Sequence, residues 1–245
     1  MTNSAVLEIS GVSKSFAGVR ALSEISLHIP RNTITSVIGP NGSGKTSLLN
    51  IITGFYTADS GSVLLNGSEL IGLPAHRIAT RGVGRTFQHI RLFRELSVLQ
   101  NVLVGAERRG RRNAVSRAHE ILEKLGLQSM AQERADALSY GHQRRLEIAR
   151  SLAAGPQLLI LDEPAAGMNP SEKQELNTVL RDIREQSLTI LLVEHDMDLV
   201  MDISDHVVAI NFGCAIAHGT PEHVRRHPDV VDAYLGADHD VTTRR

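Results

Sequence analysis

Two short stretches carry the residue types that handle phosphate and metal. In Gly39-Pro40-Asn41-Gly42-Ser43-Gly44-Lys45-Thr46, a glycine, four residues and then Gly-Lys-Thr match the phosphate-binding loop pattern. Glycines let such a backbone curl until its N–H groups converge on phosphate oxygens. Lys45 then reaches the outer phosphates and the Thr46 hydroxyl ligates magnesium, with Ser47 following in the same turn. The second stretch, Leu158-Leu159-Ile160-Leu161-Asp162-Glu163, reads as a buried strand ending in two carboxylates. A carboxylate at such a strand end can hold the magnesium shell, and its neighbour can polarise an attacking water. Asp162 is assigned to the metal and Glu163 to the water. Alone, the second stretch is better read as an acidic strand end. Paired with the loop, it points to hydrolysis of a nucleoside triphosphate.

These groups need strands that end where helices begin. Residues 5 to 38 read as short strands: Ile25, Leu27 and Ile29 alternate with Ser26 and His28, and Thr33 to Ile38 is apolar and β-branched. Gly39 to Gly44 breaks the pattern and Thr46 to Thr53 resumes it at helical spacing, giving strand, glycine loop, helix. Ser62 to Leu65 is strand-like and ends at Asn66-Gly67, a tight-hairpin dipeptide. From Ser97 to Gly155 apolar residues recur at three- and four-residue spacing, with a first helix at Val98 to Val104, which predicts a helical lobe. Strand patterns return at Leu158 to Leu161, Thr189 to Val193 and Val207 to Ile210, separated by helical patterns at Glu172 to Arg184 and Asp196 to Ile203. Strands alternating with helices argue for a parallel, helix-covered sheet.

Composition narrows the function classes. The chain has 245 residues with 26 basic and 27 acidic side chains, unlike domains that grip nucleic acid by bulk charge. With no Trp, three Tyr and five Phe it makes a poor stacking platform for single strands. Cys214 is the only cysteine, which excludes disulfide scaffolds and cysteine zinc clusters and fits a reducing compartment. No apolar run approaches the roughly 18 residues that span a bilayer. Met1-Thr2-Asn3-Ser4 lacks the basic residues and apolar stretch of a secretion signal, so the expectation is a cytosolic protein.

Leu138-Ser139-Tyr140-Gly141-His142-Gln143 precedes a helix with Leu146, Ala149 and Ala153 on one face and Arg144, Arg145 and Arg150 largely off it. It resembles the signature sequence of ABC-transporter ATP-binding subunits and lies between the other two motifs, as in that family. Ser139 and Gly141 at a helix N-terminus offer a hydroxyl, free N–H groups and a positive dipole end to a phosphate. The resemblance spans about residues 5 to 236. It implies that Gln88, in Arg85-Thr86-Phe87-Gln88, senses magnesium and water, and begins the segment that faces membrane subunits. It implies that His195, in Val193-Glu194-His195-Asp196, contacts the terminal phosphate, and that Phe16 stacks on adenine where tyrosine is commoner. Ala166-Gly167-Met168-Asn169 stands at the loop that crosses to a partner, with Asn169 where many members carry Asp. Gly84 to Phe93, Leu138 to Arg150, Ala165 to Pro170 and the ending Ala233-Tyr234-Leu235-Gly236 look like the LivG-type subunits of branched-chain amino-acid importers. Urea or short-amide importers and the lipopolysaccharide-export ATPase share parts of this pattern.

The fold this resemblance implies is α/β, a P-loop NTPase (RecA-like) core of the ABC ATPase type with an N-terminal antiparallel β-subdomain and an inserted α-helical subdomain. One ATP-binding domain would span 1–237, its core about 1–88 and 156–237 and its helical part about 89–155, before a polar tail at 238–245. Two subunits would close head to tail, Ser139 and Gly141 of one meeting the nucleotide held by Lys45 and Thr46 of the other. Lys45, Glu163, His195 and Gln88 would serve hydrolysis, with ATP and Mg2+ bound. The implied partners are transmembrane permease subunits, a second ATP-binding subunit, either sister or copy, and indirectly an external substrate-binding protein. No nucleic acid is implied. The seat would be the cytosolic face of the membrane. A non-transport ABC ATPase acting on nucleic acid is a further class, against which the absence of room for coiled coils or a second ATPase domain speaks.

Three other signals are weaker. Between Arg81 and Arg117 nine arginines face only Glu95 and Glu107, which reads as a solvated basic face or as a surface near lipid headgroups or acidic loops of membrane subunits. His223 and His227, four apart, read as exposed polar residues. Cys214 reads as a small apolar filler.

Overall fold

The computed structural model describes residues 5–107 and 113–239, the stretch 235–239 by its backbone. Met1–Ser4, the four arginines within 108–112 and residues 240–245 of the expected tail lie outside the described residues. The chain opens with a hairpin, β1 (Ala5–Phe16) and β2 (Val19–Pro30), followed by β3 (Ile34–Ile38) and α1 (Lys45–Ile52). A second hairpin, β4 (Ser60–Leu65) and β5 (Ser68–Glu69), leads to α2 (Ala75–Thr80) and β6 (Val83–Arg85). Helices α3 (Val98–Ala106), α4 (Ala114–Lys124) and α5 (Tyr140–Ala153) follow, with single 3-10 turns at Gln128–Met130 and Ala135–Ala137. The chain then alternates through β7 (Leu158–Asp162), α6 (Pro170–Glu185), β8 (Thr189–Val193) and α7 (Met197–Ile203). It closes with the hairpin β9 (His206–Asn211) and β10 (Cys214–Gly219), then α8 (Pro221–Arg225) and α9 (Pro228–His239). Helix α9 thus takes in Asp238 and His239, the first residues of the expected tail.

A four-stranded antiparallel sheet runs β2-β1-β4-β5 and a six-stranded sheet runs β10-β9-β3-β8-β7-β6, its five strands from β9 to β6 parallel. The alternation seen in β2 is real: Ile25, Leu27 and Ile29 are buried, while Ser26 and His28 are exposed. In β7 and β8 all residues are buried because both faces of that sheet are covered, which is why those strands read as unbroken apolar runs. Leu158, Ile160, Leu191 and Val193 face a core shared with Leu48 and Ile52 of α1 and with Ile9 and Ile29 of the first hairpin. Leu159, Leu161, Ile190 and Leu192 face the opposite core, built with Val102, Leu146 and Leu180 of the helices. Each such leucine contributes about 1.5–3 kcal/mol by leaving water. Asn66 and Gly67 take φ of 50° and 75°, the left-handed pair that a two-residue hairpin demands.

The structure corrects several expectations about polar residues. Arg144 is not off the apolar face of α5: it is fully buried, while Arg145 and Arg150 are half-buried. Arg85 belongs to no solvated face either, since its side chain is 7% exposed and ion-paired inside the protein. Cys214 opens the edge strand β10 with its side chain in solvent, so it fills no core. His223 is exposed and His227 half-buried, their rings 6.1 Å apart edge to face. Among the described residues no group of three His, Cys, Asp or Glu side chains is placed to hold a metal ion. Among the described residues no helix is long and apolar enough to cross a membrane.

Candidate active site

Four neighbouring parallel strands deliver the sequence-derived residues to one edge of the sheet. In the order β3, β8, β7, β6, their C-terminal ends lead to the 39–44 loop, to His195, to Asp162 and Glu163, and toward Gln88. The register keeps these ends level, with Val37 beside Val193 and Val193 beside Asp162. Ligands of open parallel sheets bind beyond this end of the strands.

The loop requires its glycines. A Cβ on Gly39 would collide with the Ile210 carbonyl and stand 2.7 Å from Ser43 Oγ, and one on Gly44, at φ 110°, would stand 2.6 Å from the Ala21 carbonyl. Gly42 also takes a positive φ, 79°. With Pro40 and the exposed Asn41 forming its outer curve, the loop wraps the N-terminus of α1, whose first amides have no partner within the helix. Ser43 is buried, and among the described residues its hydroxyl has no hydrogen-bond partner, which suits it to bond a phosphate oxygen. Lys45 is 8% exposed and donates from Nζ to the Gly39 and Pro40 carbonyls at 2.7 and 2.9 Å. Burial pulls its ammonium below the usual lysine range, against the opposing pull of Glu163 and Asp162. Thr46 is exposed and Ser47 half-buried in the first turn of α1.

Asp162 is nearly buried, and its Oδ2 accepts from Arg85 at 3.0 Å. Arg85 also donates to Asn50 Oδ1 and Thr53 Oγ1, at 2.8 and 2.7 Å, so one guanidinium ties the end of β7 to the end of α1. Glu163 takes a left-handed φ of 46°, unusual for a residue with a Cβ, and its amide donates to the Val193 carbonyl at 2.9 Å. Its Oε2 accepts from Gln88 Nε2 at 2.9 Å and lies 3.9 Å from His195 Nδ1. The His195 side chain is 60% exposed, free to meet a ligand. The residue before His195 is the fully buried Glu194, whose two oxygens accept the Ala165 and His195 amides at 2.9 and 3.2 Å. Burial pushes that carboxyl above the usual range, and the amides pull it back. Arg85 and Glu194 are site residues to which the sequence reading assigns no role, although each stands inside a quoted motif, Arg85 to Gln88 and Val193 to Asp196.

The structure does not bring every expected residue to this place. Ser139 caps α5, its hydroxyl accepting from the His142 amide at 3.3 Å. A Cβ on Gly141 would stand 2.5 Å from Glu172 Oε1, so this glycine lets α5 approach the capping box that Asn169 and Glu172 build at the start of α6. Helix α5 packs on α3, α4 and β6. Phe16 ends β1 and is 38% exposed, its ring edge-on to Tyr56 at 5.0 Å, next to the hairpin strand whose Ala21 abuts Gly44. The arrangement supplies an anion cradle, a cation beside it, and two carboxylates with amide and imidazole neighbours. It leaves Ser139 exposed at the start of α5 and Gly141 buried against Glu172.

Residues 22–166 match the family described as ABC transporter, and residues 216–240 match that of the branched-chain amino acid ATP-binding cassette transporter. The chain is 45% identical to the high-affinity branched-chain amino acid transport ATP-binding protein BraF of Pseudomonas aeruginosa, over 94% of its own length and 98% of the relative's. Identity and coverage are the same for LivG of Escherichia coli, which carries the same description. Among solved structures, an ATP-binding cassette of an ABC transporter in its ADP conformation superposes with a TM-score of 0.87 at 31% identity, covering 95% of this chain and 99% of that one. The chain therefore belongs to the ABC transporter family, as one of its nucleotide-binding, ATP-hydrolysing subunits.

Proposed function

We propose that this chain energises the import of branched-chain amino acids, hydrolysing ATP against transmembrane permease subunits on the cytosolic face of the membrane. The observation that carries the catalytic half is the position of Glu163, held by Gln88, beside His195 and within the field of Lys45. The identity to BraF and LivG supports the substrate. In this reading the loop Gly39 to Gly44 and the first turn of α1 bind the phosphates through main-chain N–H groups, and Lys45 leaves its two carbonyls to neutralise the outer phosphates. Glu163 accepts a proton from water, and His195 with Lys45 stabilises the charge that develops on the transferred group. The donor set fits Mg2+, a hard cation: the Thr46 hydroxyl and the Asp162 carboxylate would hold it, with the Gln88 amide oxygen in reach through water. Phe16 and Tyr56 supply the exposed aromatic edge against which adenine packs.

We take residues 1–237 as one ATP-binding domain whose helical part, about 89–155, moves against a core of about 1–88 and 156–237. Ser139 and Gly141 belong to the second site of a head-to-tail pair, completed by a sister ATP-binding subunit. The exposure of Ser139 at the start of α5 supports this, while Lys45 bonds the Gly39 and Pro40 carbonyls of its own loop. A groove of about 660 Å3 beside Gln88, floored by Phe55, Phe87 and Phe93 and edged by Arg91 and Arg150, suits a permease segment that is apolar with acidic ends. An external substrate-binding protein would act through that permease, and no nucleic acid takes part. Glu163→Gln should keep ATP affinity and lower turnover by at least about a hundredfold. In a strain lacking the native protein, that variant should fail to restore uptake of labelled leucine; near-normal hydrolysis refutes the catalytic assignment, and leucine uptake unaffected by loss of the protein refutes the substrate.

A further inference from the structure

Helix α5 contains a buried ion pair for which the reaction as described has no use. Arg144 and Glu147, one turn apart, both have side chains 0% exposed, and Arg144 Nη1 donates to Glu147 Oε2 at 2.9 Å. The guanidinium then reaches out of its helix to two consecutive main-chain carbonyls, Phe87 O at 2.6 Å and Gln88 O at 2.7 Å. The other oxygen of Glu147 accepts the Arg91 amide at 3.1 Å. The pair therefore grips the backbone on both sides of His89 and Ile90 with three hydrogen bonds that involve charged groups, the stronger class. Buried ion pairs are poor stabilisers, because apolar residues of similar volume commonly do as well or better. What an apolar pair cannot do is donate to two carbonyls and accept an amide, and the planar fork of arginine does the first in a way that lysine cannot.

We propose that Arg144 and Glu147 are positioning residues: they fix the 87–91 backbone to α5, so that a nucleotide meeting Ser139 and Gly141 at the start of that helix sets the place of Gln88 against Glu163 in the same subunit. This rests on the assignment of Gln88 and of the exposed Ser139 made above. The geometry makes one rigid path: the Ser139 cap, one to two turns of α5, two carbonyl contacts, then the Gln88 side chain 2.9 Å from Glu163. Each subunit would then hydrolyse fastest only when its own signature helix is engaged.

The test uses the full chain in its assembled transporter, with Arg144→Lys and with the paired replacement Arg144→Met and Glu147→Met. Three quantities are read: the Kd of a fluorescent ATP analogue, kcat, and hydrogen exchange of the 86–93 segment. Both variants should bind the analogue within about twofold of wild type and lose about tenfold in kcat, the scale on which sub-ångström to ångström misplacement acts. Exchange at 86–93 should quicken while the β8 amides stay protected. The double Met variant strands no charge and should melt higher than Arg144→Met alone, although it loses the same backbone contacts, which separates positioning from the cost of an unpaired charge. Adding Arg144→Lys to Gln88→Ala should cost nothing further, because both act through one group. Unchanged exchange, a wild-type kcat in the double Met variant, or a full additional loss on top of Gln88→Ala overturns the proposal. An undiminished kcat in Gln88→Ala alone would instead overturn the role of Gln88, and the exchange measurement would still decide whether the tether exists.

Discussion

Replacing Arg85 by Met would remove the cation that holds Asp162. Arg85 and Asp162 side chains are 7% and 9% exposed, and their Nη2 to Oδ2 distance is 3.0 Å. The same guanidinium donates to Asn50 and Thr53, so the substitution removes three charge-assisted hydrogen bonds and leaves a buried carboxylate unpaired. Breaking a buried pair from one side costs about 3–5 kcal/mol, most of it the penalty of the stranded charge. Burial already holds the Arg85 guanidinium below its usual range, so removing it recovers some desolvation and places the expected cost near the lower figure, about 3 kcal/mol. Against a total stability of about 5–15 kcal/mol that is a large fraction. At roughly 2–4 °C per kcal/mol for a chain of this size, the melting midpoint should fall by about 10 °C. Urea unfolding of wild type, Arg85→Met, Asp162→Asn and the double variant closes a cycle whose coupling should be about 2–3 kcal/mol. If Arg85→Met unfolds within about 1 kcal/mol of wild type, or the two single costs simply add, the pair does not hold this strand end as described.

Other perturbations separate the remaining roles. Lys45→Ala should weaken nucleotide binding by at least about tenfold in a fluorescent-analogue titration, the loss of a charge-assisted contact, whereas unchanged affinity would contradict the loop assignment. Ser139→Arg should leave nucleotide binding by the isolated chain intact and abolish cooperative hydrolysis in the assembled complex; retained cooperativity would mean that Ser139 at the start of α5 meets no nucleotide. Asp196 caps α7 and is held below the usual carboxylate range first by its hydrogen bond to Lys173. A depressed carboxyl stabilises above its unfolded value, 3.8, and loses that contribution as pH falls through its folded value. Asp196→Asn should therefore cost about 0.5 kcal/mol at neutral pH, after allowing for partial exposure, and nothing in acid below both values. A difference that persists in strong acid would refute the linkage.

The parts of this protein that sequence made legible are those whose cause is local. The phosphate loop announces itself because Gly39 and Gly44 answer steric demands that only glycine meets, and the β7 and β8 strands because two covered faces fill Leu158–Leu161 and Ile190–Val193 with apolar side chains. The Asn66-Gly67 turn belongs to the same class. The parts that stayed hidden are charged groups whose partners lie far along the chain. Arg85 meets Asp162, and Arg144 meets the backbone at Phe87 and Gln88, across separations of 77 and about 56 residues that no periodicity encodes. A charge with no visible partner is assigned to solvent by default. Asn101, fully buried, is a further case, closing the 93–97 turn by bonding Phe93 through both its amide oxygen and its nitrogen. Cys214 fails in the opposite sense, since its small apolar side chain happens to open an edge strand.

The place of β3 in its sheet has a consequence for biosynthesis. The strand that ends in the phosphate loop pairs only with β8 and β9, so its nearest partner is translated about 150 residues after it. At roughly 5–20 residues per second, the ribosome needs about eight to thirty seconds to supply Thr189 to Val193 once Ile38 has been made. During that interval the first hairpin and α1 can fold on local contacts, while β3 exposes two unpaired apolar edges. Every residue of the loop is then present on a chain that cannot yet hold its curvature, and nucleotide capture becomes possible only as the last quarter of the protein leaves the exit tunnel.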